Sequence, residues 1–113
     1  MSDTPLWSPS QEKVAQSNLT AFAAKAERIA GRPLSDYAGL HRWSIEERGA
    51  FWSLVWDEFG VIGEKGGRDL VDGDRMPGAR FFPDATLNFA ENLLRKTGAD
   101  DAIVFRGEDK VEK

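Results

Sequence analysis

At 113 residues, 41% hydrophobic and 30% charged, the chain has the makeup of one small folded domain and not of a disordered segment. Its 15 basic and 19 acidic residues leave a net charge of −4 with no basic block, which argues against a nucleic-acid partner. The absence of cysteine excludes disulfides, thiolate-bound zinc and thiol catalysis.

Residues 1–10 lack the cationic start and apolar centre of a signal peptide, and no run approaches the length of a membrane span. A cytoplasmic chain with no membrane partner is expected. The 4 Trp and 7 Phe are a heavy load for this length. They imply either a dense aromatic core or a surface intended for a partner.

Ser8, Pro9 and Gln11 predict the first helix start, with Ser8 as N-cap, Pro9 at the first helical position and Gln11 closing a capping box. Ala15, Leu19, Phe22, Ala26 and Ile29 then form one amphipathic stripe, which Gly31 and Pro33 end. Residues 35–40 read as a short helical turn. Ser44 with Glu47 repeats the capping-box pattern and opens a helix over 45–59, closed by Gly60. Phe51, Trp52, Val55, Trp56 and Phe59 make its heavy face, with Trp43 just ahead of it. Gly49 costs about 1 kcal/mol relative to Ala inside a helix, which favours a later start.

Residues 61–78 read as a long glycine-rich loop, with a small hairpin turning at Asp72-Gly73. Residues 79–82, which include Phe81 and Phe82, form a short strand stopped by Pro83, and Pro83-Asp84 turns the chain. Asn88 with Glu91 predicts the cap of a further helix that runs to Thr97-Gly98. That helix places Leu87, Ala90, Leu93 and Leu94 on one side, with the Asn92 amide near it and in need of partners. Residues 102–105 form a fully apolar strand suited to burial on both faces, followed by a turn at 107–109 and a return strand. Such a strand needs a larger sheet, so the chain is expected to be cut from a longer protein.

The chemistry-bearing patterns are weak. Gly63-Glu64-Lys65-Gly66-Gly67 lacks the Lys-Ser/Thr helix start of a phosphate loop and reads as a flexible loop. Asp72-Gly73-Asp74 lacks the other oxygen ligands of a calcium loop and reads as a turn. His41 is the single histidine, and a packing or hydrogen-bonding role suits it better than metal ligation. Glu46, Glu47, Asp57 and Glu58 are helix-surface acids with no shared cleft. Arg68, Arg75 and Arg80 flank the loop and are the best placed to touch an anion, although solvated loop charges are favoured. No catalytic, cofactor-binding or metal-binding residue is assigned. The structural or interface candidates are Trp43, Phe51, Trp52, Trp56, Phe81, Phe82, Leu87, Asn88, Asn92 and Leu94.

Four runs carry a resemblance: Pro5-Leu6-Trp7-Ser8-Pro9-Ser10, Leu40-His41-Arg42-Trp43-Ser44-Ile45, Met76-Pro77-Gly78-Ala79-Arg80-Phe81-Phe82-Pro83, and Leu87-Asn88 with Asn92-Leu93. Together they resemble the N-terminal region of the adenylate-forming acyl-CoA synthetases of the acetyl-CoA synthetase type, most closely the acetoacetate-activating branch. The resemblance implies a parent ligase that uses ATP and magnesium to make an acyl-adenylate and passes the acyl group to the thiol of CoA. The family's phosphate loop, ribose-binding Asp and late Lys are not among these residues, so no cofactor is expected on this segment itself.

The fold expected is mainly α with short β segments, the N-terminal cap of an α/β synthetase ending at its first sheet strand. Residues 1–7 would be a tail, 8–98 the helical region and 99–113 the start of the large sheet domain. The remainder of the synthetase is the expected partner, with self-association of the segment through its aromatic face. The alternatives are a free-standing protein-interaction module, or the same segment of an acetate or propionate ligase.

Overall fold

Two serines divide what the periodicity reads as one first helix. The computed structural model describes residues 4–34 and 36–112. Helix α1 spans Gln11–Ala15 and is capped by Ser10, whose hydroxyl accepts from the Lys13 amide, so the expected cap at Ser8 lies two residues too early. The chain then breaks at Gln16-Ser17, and α2 runs over Asn18–Ala30. Ser17 causes the break, because its hydroxyl accepts from the Thr20 amide and also donates to the Val14 carbonyl. A serine inside an apolar stripe offers the backbone this local alternative to helix. Gly31, at φ 68°, ends α2 in the left-handed conformation that Gly tolerates without a Cβ clash.

The next two helices differ from expectation for a similar reason. α3 spans Tyr37–Glu46 and is capped by Asp36, which accepts from the Gly39 amide, so the short turn expected over 35–40 is the start of a longer helix. Of that range, Ser35 lies outside the described residues. Ser44 is inside α3 and donates to the His41 carbonyl, so the capping box expected with Glu47 does not form. Glu47, at φ −112° and ψ 51°, instead makes the corner from which α4 runs over Arg48–Glu58. Gly49 falls in the first turn of α4, where glycine disturbs a helix least.

After α4 the chain builds two short antiparallel ladders within what reads as loop. β1 (Gly63–Glu64) pairs with β4 (Thr86–Leu87), and β2 (Leu70–Val71) pairs with β3 (Arg80–Phe81). The chain does turn at Asp72-Gly73, where the Arg75 amide bonds the Asp72 carbonyl, but the small hairpin expected there does not form: residues 72–79 carry the chain on to β3, and a bond from the Phe82 amide to the Asp69 carbonyl extends the ladder. Gly66, at φ 82°, lies so close to Asp84 that a Cβ there would sit 2.6 Å from the Asp84 Cβ. Only glycine fits that approach. α5 follows over Phe89–Leu93, ending well before Thr97-Gly98. Its cap is Asn88, which accepts from the Glu91 amide as the sequence indicates.

The run at 102–105 does not form a buried strand. β5 (Phe105–Arg106) is exposed and pairs with β6 (Val111–Glu112) across a turn closed by the Gly107 amide and the Lys110 carbonyl. The turn and return strand are where the sequence puts them, but Ile103, Val104 and Phe105 are exposed.

The core is small and lies among α2, α3 and α4. Ala26, Leu34, Leu40, Trp43 and Leu54 are buried, with Phe22, Ala23, Ala30, Ala50 and Phe51 packed against them. The accessible surface is 9650 Å², whereas a compact monomer of this mass exposes about 6,200 Å². The radius of gyration is 19.4 Å against about 13 Å for a compact domain of this length. The chain therefore leaves unburied much of the apolar surface that a free-standing domain encloses.

Candidate functional site

The aromatic residues form a ladder that ties the helices to the second hairpin. Phe22 of α2 meets Phe51 edge-on at 5.9 Å between ring centroids, and Trp43 of α3 meets the same ring at 6.1 Å. Phe51 passes to Trp52 at 5.1 Å, and Trp52 to Phe81 of β3 at 6.0 Å. A separate contact joins Trp56 to Phe82 at 5.1 Å. Edge-to-face pairs of this kind add about 0.5–1.5 kcal/mol each beyond the area they bury.

The rings do not share one environment. Trp43 is 1% exposed and belongs to the core, so it does not line a surface. Trp56 and Phe51 are half-buried, and Trp52, at 43%, opens to solvent at the hairpin end. Phe59, expected on the same face, is exposed past the end of α4. Leu54, which the heavy-face reading omits, is the fully buried residue of α4. Its position three residues after Phe51 is the signal that could have found it.

The basic residues of the glycine-rich segment are paired with carboxylates. Lys65 reaches Asp57 at 2.7 Å and the Ser53 hydroxyl at 2.8 Å. Arg68 forms a two-pronged pair with Asp84, Nε to Oδ2 at 2.8 Å and Nη2 to Oδ1 at 2.6 Å. The hydrogen bonds from Arg68 hold the Asp84 carboxyl below its ordinary pKa, and the same pairing raises that of Arg68. Arg48 binds Asp74 at 2.6 Å and the Gly73 carbonyl at 3.0 Å, fastening the turn to α4. Lys25 of α2 pairs with Glu58 of α4. These pairs close the loop on itself and fasten it to α4. Among the described residues no group of three His, Cys, Asp or Glu side chains is placed to hold a metal, and no helix is long and apolar enough to cross a membrane. His41 stacks on Tyr37, with ring centroids 6.3 Å apart.

α5 meets one expectation and not the other: the Asn92 amide finds the partners it needs, whereas the leucine side does not pack. Half-buried Asn92 binds both backbone groups of Ile62, and Arg95, just past the helix, reaches the Phe59 and Gly60 carbonyls at 2.9 Å each. Arg95 thus covers carbonyls at the C-terminal end of α4, a role the sequence reading did not assign. Leu87, Leu93 and Leu94 do not cover the aromatic face of α4 and are exposed.

A helical unit carrying exposed apolar faces, with the cations Lys65 and Arg68 of its glycine-rich segment held in internal ion pairs, has the features of a segment that packs against more protein. The chain belongs to the acetyl-coenzyme A synthetase N-terminus family, whose profile matches residues 37–93. It is 57% identical over 109 residues to an acetoacetyl-coenzyme A synthetase of Rhizobium meliloti (strain 1021), covering 96% of this chain and 17% of that protein. It is 40% identical to a malonamoyl-CoA synthetase of Penicillium aethiopicum, covering 96% of this chain and 16% of that one. The solved structure of an acetoacetyl-CoA synthetase from Streptomyces lividans matches 81% of this chain and 14% of that one, with a TM-score of 0.71 and 45% identity. The chain thus spans about one-sixth of the length of the curated relatives it matches.

Proposed function

We propose that these residues are the opening structural segment of an ATP-dependent acyl-CoA ligase, whose full polypeptide joins acetoacetate to CoA and releases AMP and pyrophosphate. The observation that carries this reading is the 57% identity to the Rhizobium acetoacetyl-coenzyme A synthetase along 96% of the chain. The surface left bare by the helices and hairpins fits it, since a segment of a larger fold need not enclose its own core. In this reading ATP, magnesium and CoA are held by the rest of the polypeptide, residues 8–98 form a helical buttress, and residues 99–113 lead into the large sheet domain. The enzyme works in the cytoplasm, where its cosubstrates are. The similarity to a malonamoyl-CoA synthetase supports a second acid, and acetoacetate and malonamate are both short acids with a carbonyl on C3.

The test has two arms. The chain incubated with ATP, magnesium, acetoacetate and CoA should release no pyrophosphate above a heat-killed control. Grafted in place of the matching segment of the Rhizobium synthetase, it should support acetoacetate-dependent pyrophosphate release. Turnover by the chain alone, or a folded graft without activity, would overturn the proposal.

A further inference from the structure

We propose that the outward face of α5, formed by Phe89, Ala90, Leu93 and Leu94, is the seat of a following domain of the same polypeptide. The inference rests on the reading of the chain as part of a longer ligase, and it specifies which surface that domain grips.

α5 is fastened to the rest of the chain through a polar side chain, Asn92, and not through its apolar residues. Within α5, Ala90 and Leu93 lie roughly 100–160° round the helix from Asn92, and Arg95 follows just past its C-terminal end. Four hydrogen bonds reach residues 59–62, two with Asn92 and two with Arg95. These fix the rotation of the helix. The large apolar side chains are left in water, with Phe89 74% exposed, Leu93 68% and Leu94 72%. A small domain that ended its packing here would turn such a helix the other way, because each large apolar side chain gains about 1.5–3 kcal/mol on burial.

The amount of bare surface selects the occupant. The chain exposes about 3,400 Å² more than a compact monomer of its mass. A second copy docking through a standard interface covers about 800 Å² per partner, and even large obligate dimers cover about 2,500 Å². A domain of the size that the relatives possess beyond this segment can cover the whole excess. A following domain in the same chain also needs no concentration to bind, which suits a helix pre-set by its own polar bonds.

Because the chain has no cysteine, single thiols report on the face directly. Leu93→Cys and Phe89→Cys probe it, and Lys96→Cys serves as an exposed control. Each is made in the chain alone and in the graft onto the Rhizobium synthetase, and alkylation is followed by mass spectrometry of the peptide. In the graft, Leu93→Cys and Phe89→Cys should react about tenfold or more slower than in the chain alone, with Lys96→Cys unchanged, since a docked face reacts only on local opening. Equal rates in an active graft would overturn this inference and leave the proposed function standing. An inactive graft with both thiols protected would do the reverse. Alkylation of the chain alone that slows with concentration, alongside a dimer in sedimentation, would assign the face to a second copy and overturn the proposal. A graft that only aggregates, where the Rhizobium protein itself is soluble, also counts against it.

Discussion

Asn92 serves Ile62 as a neighbouring strand would. Its Oδ1 accepts from the Ile62 amide at 2.8 Å, and its Nδ2 donates to the Ile62 carbonyl at 2.9 Å. The same Nδ2 donates to the Asn88 carbonyl at 2.9 Å, so one amide holds the chain after α4 and the start of α5 together. Asn92→Ala removes all three bonds, and because water can reach the freed Ile62 groups the cost should be about 0.5–1.5 kcal/mol. Asn92→Asp retains the acceptor and loses the donor, and should fall between the two. Urea unfolding midpoints of the three proteins check this. An alanine variant as stable as the parent would show that the clamp contributes nothing.

The caps should act independently of one another. Asn88→Ala and Ser17→Ala each remove a side-chain acceptor from a helix start, Glu91 N–H in one case and Thr20 N–H in the other. Each should cost about 1 kcal/mol. The two sites share no partner, so the double variant should show their sum within about 0.5 kcal/mol. Ser8→Ala, at the cap position that the sequence favours, should leave stability unchanged.

The Asp84–Arg68 pair predicts a pH dependence with a definite sign. Hydrogen bonds from Arg68 lower the Asp84 pKa below its ordinary 3.8. A folded-state value below the unfolded one contributes stability that is fully present above the unfolded pKa and is lost as pH falls through the folded value. Thermal unfolding of the parent and of Asp84→Asn should differ by a constant amount above about pH 5 and converge below about pH 4. A gap that widens on acidification would contradict the pairing. Both side chains are partly in water, so 1 M salt should narrow the gap at neutral pH.

Position along the aromatic ladder should rank the cost of losing a ring. Trp43→Ala empties the centre of the core and should cost about 3–5 kcal/mol, enough to unfold a domain this thinly packed. Phe51→Leu keeps most of the volume but breaks three ring contacts, for about 1–2 kcal/mol. Trp52→Leu at the open end should cost less than about 1 kcal/mol in the chain alone. Chemical denaturation of the three variants gives the order, and a Trp52 variant less stable than the Phe51 one would refute it.

Local signals were legible wherever a few neighbouring residues suffice. Asn88 caps α5, Gly31 and Gly60 close the helices before them, Pro83-Asp84 turns the chain, and Asp72-Gly73 begins a turn, each because its conformation is set within a turn of backbone. Motif runs around Trp43, Phe81 and Asn92 were enough to point to the family. Ser44 misled and Ser17 went unread, since a serine can cap a helix or bond back to a carbonyl, and its own sequence neighbourhood does not choose. Tertiary structure alone decided the rotation of α5. Its sequence is equally amphipathic whichever side faces in, and the side is set by Ile62, Phe59 and Gly60, which lie about thirty residues earlier. The strand at 102–105 failed for the same reason. An apolar run states that it can be buried, but whether it is depends on the neighbours that pack upon it, and here Ile103, Val104 and Phe105 stay exposed.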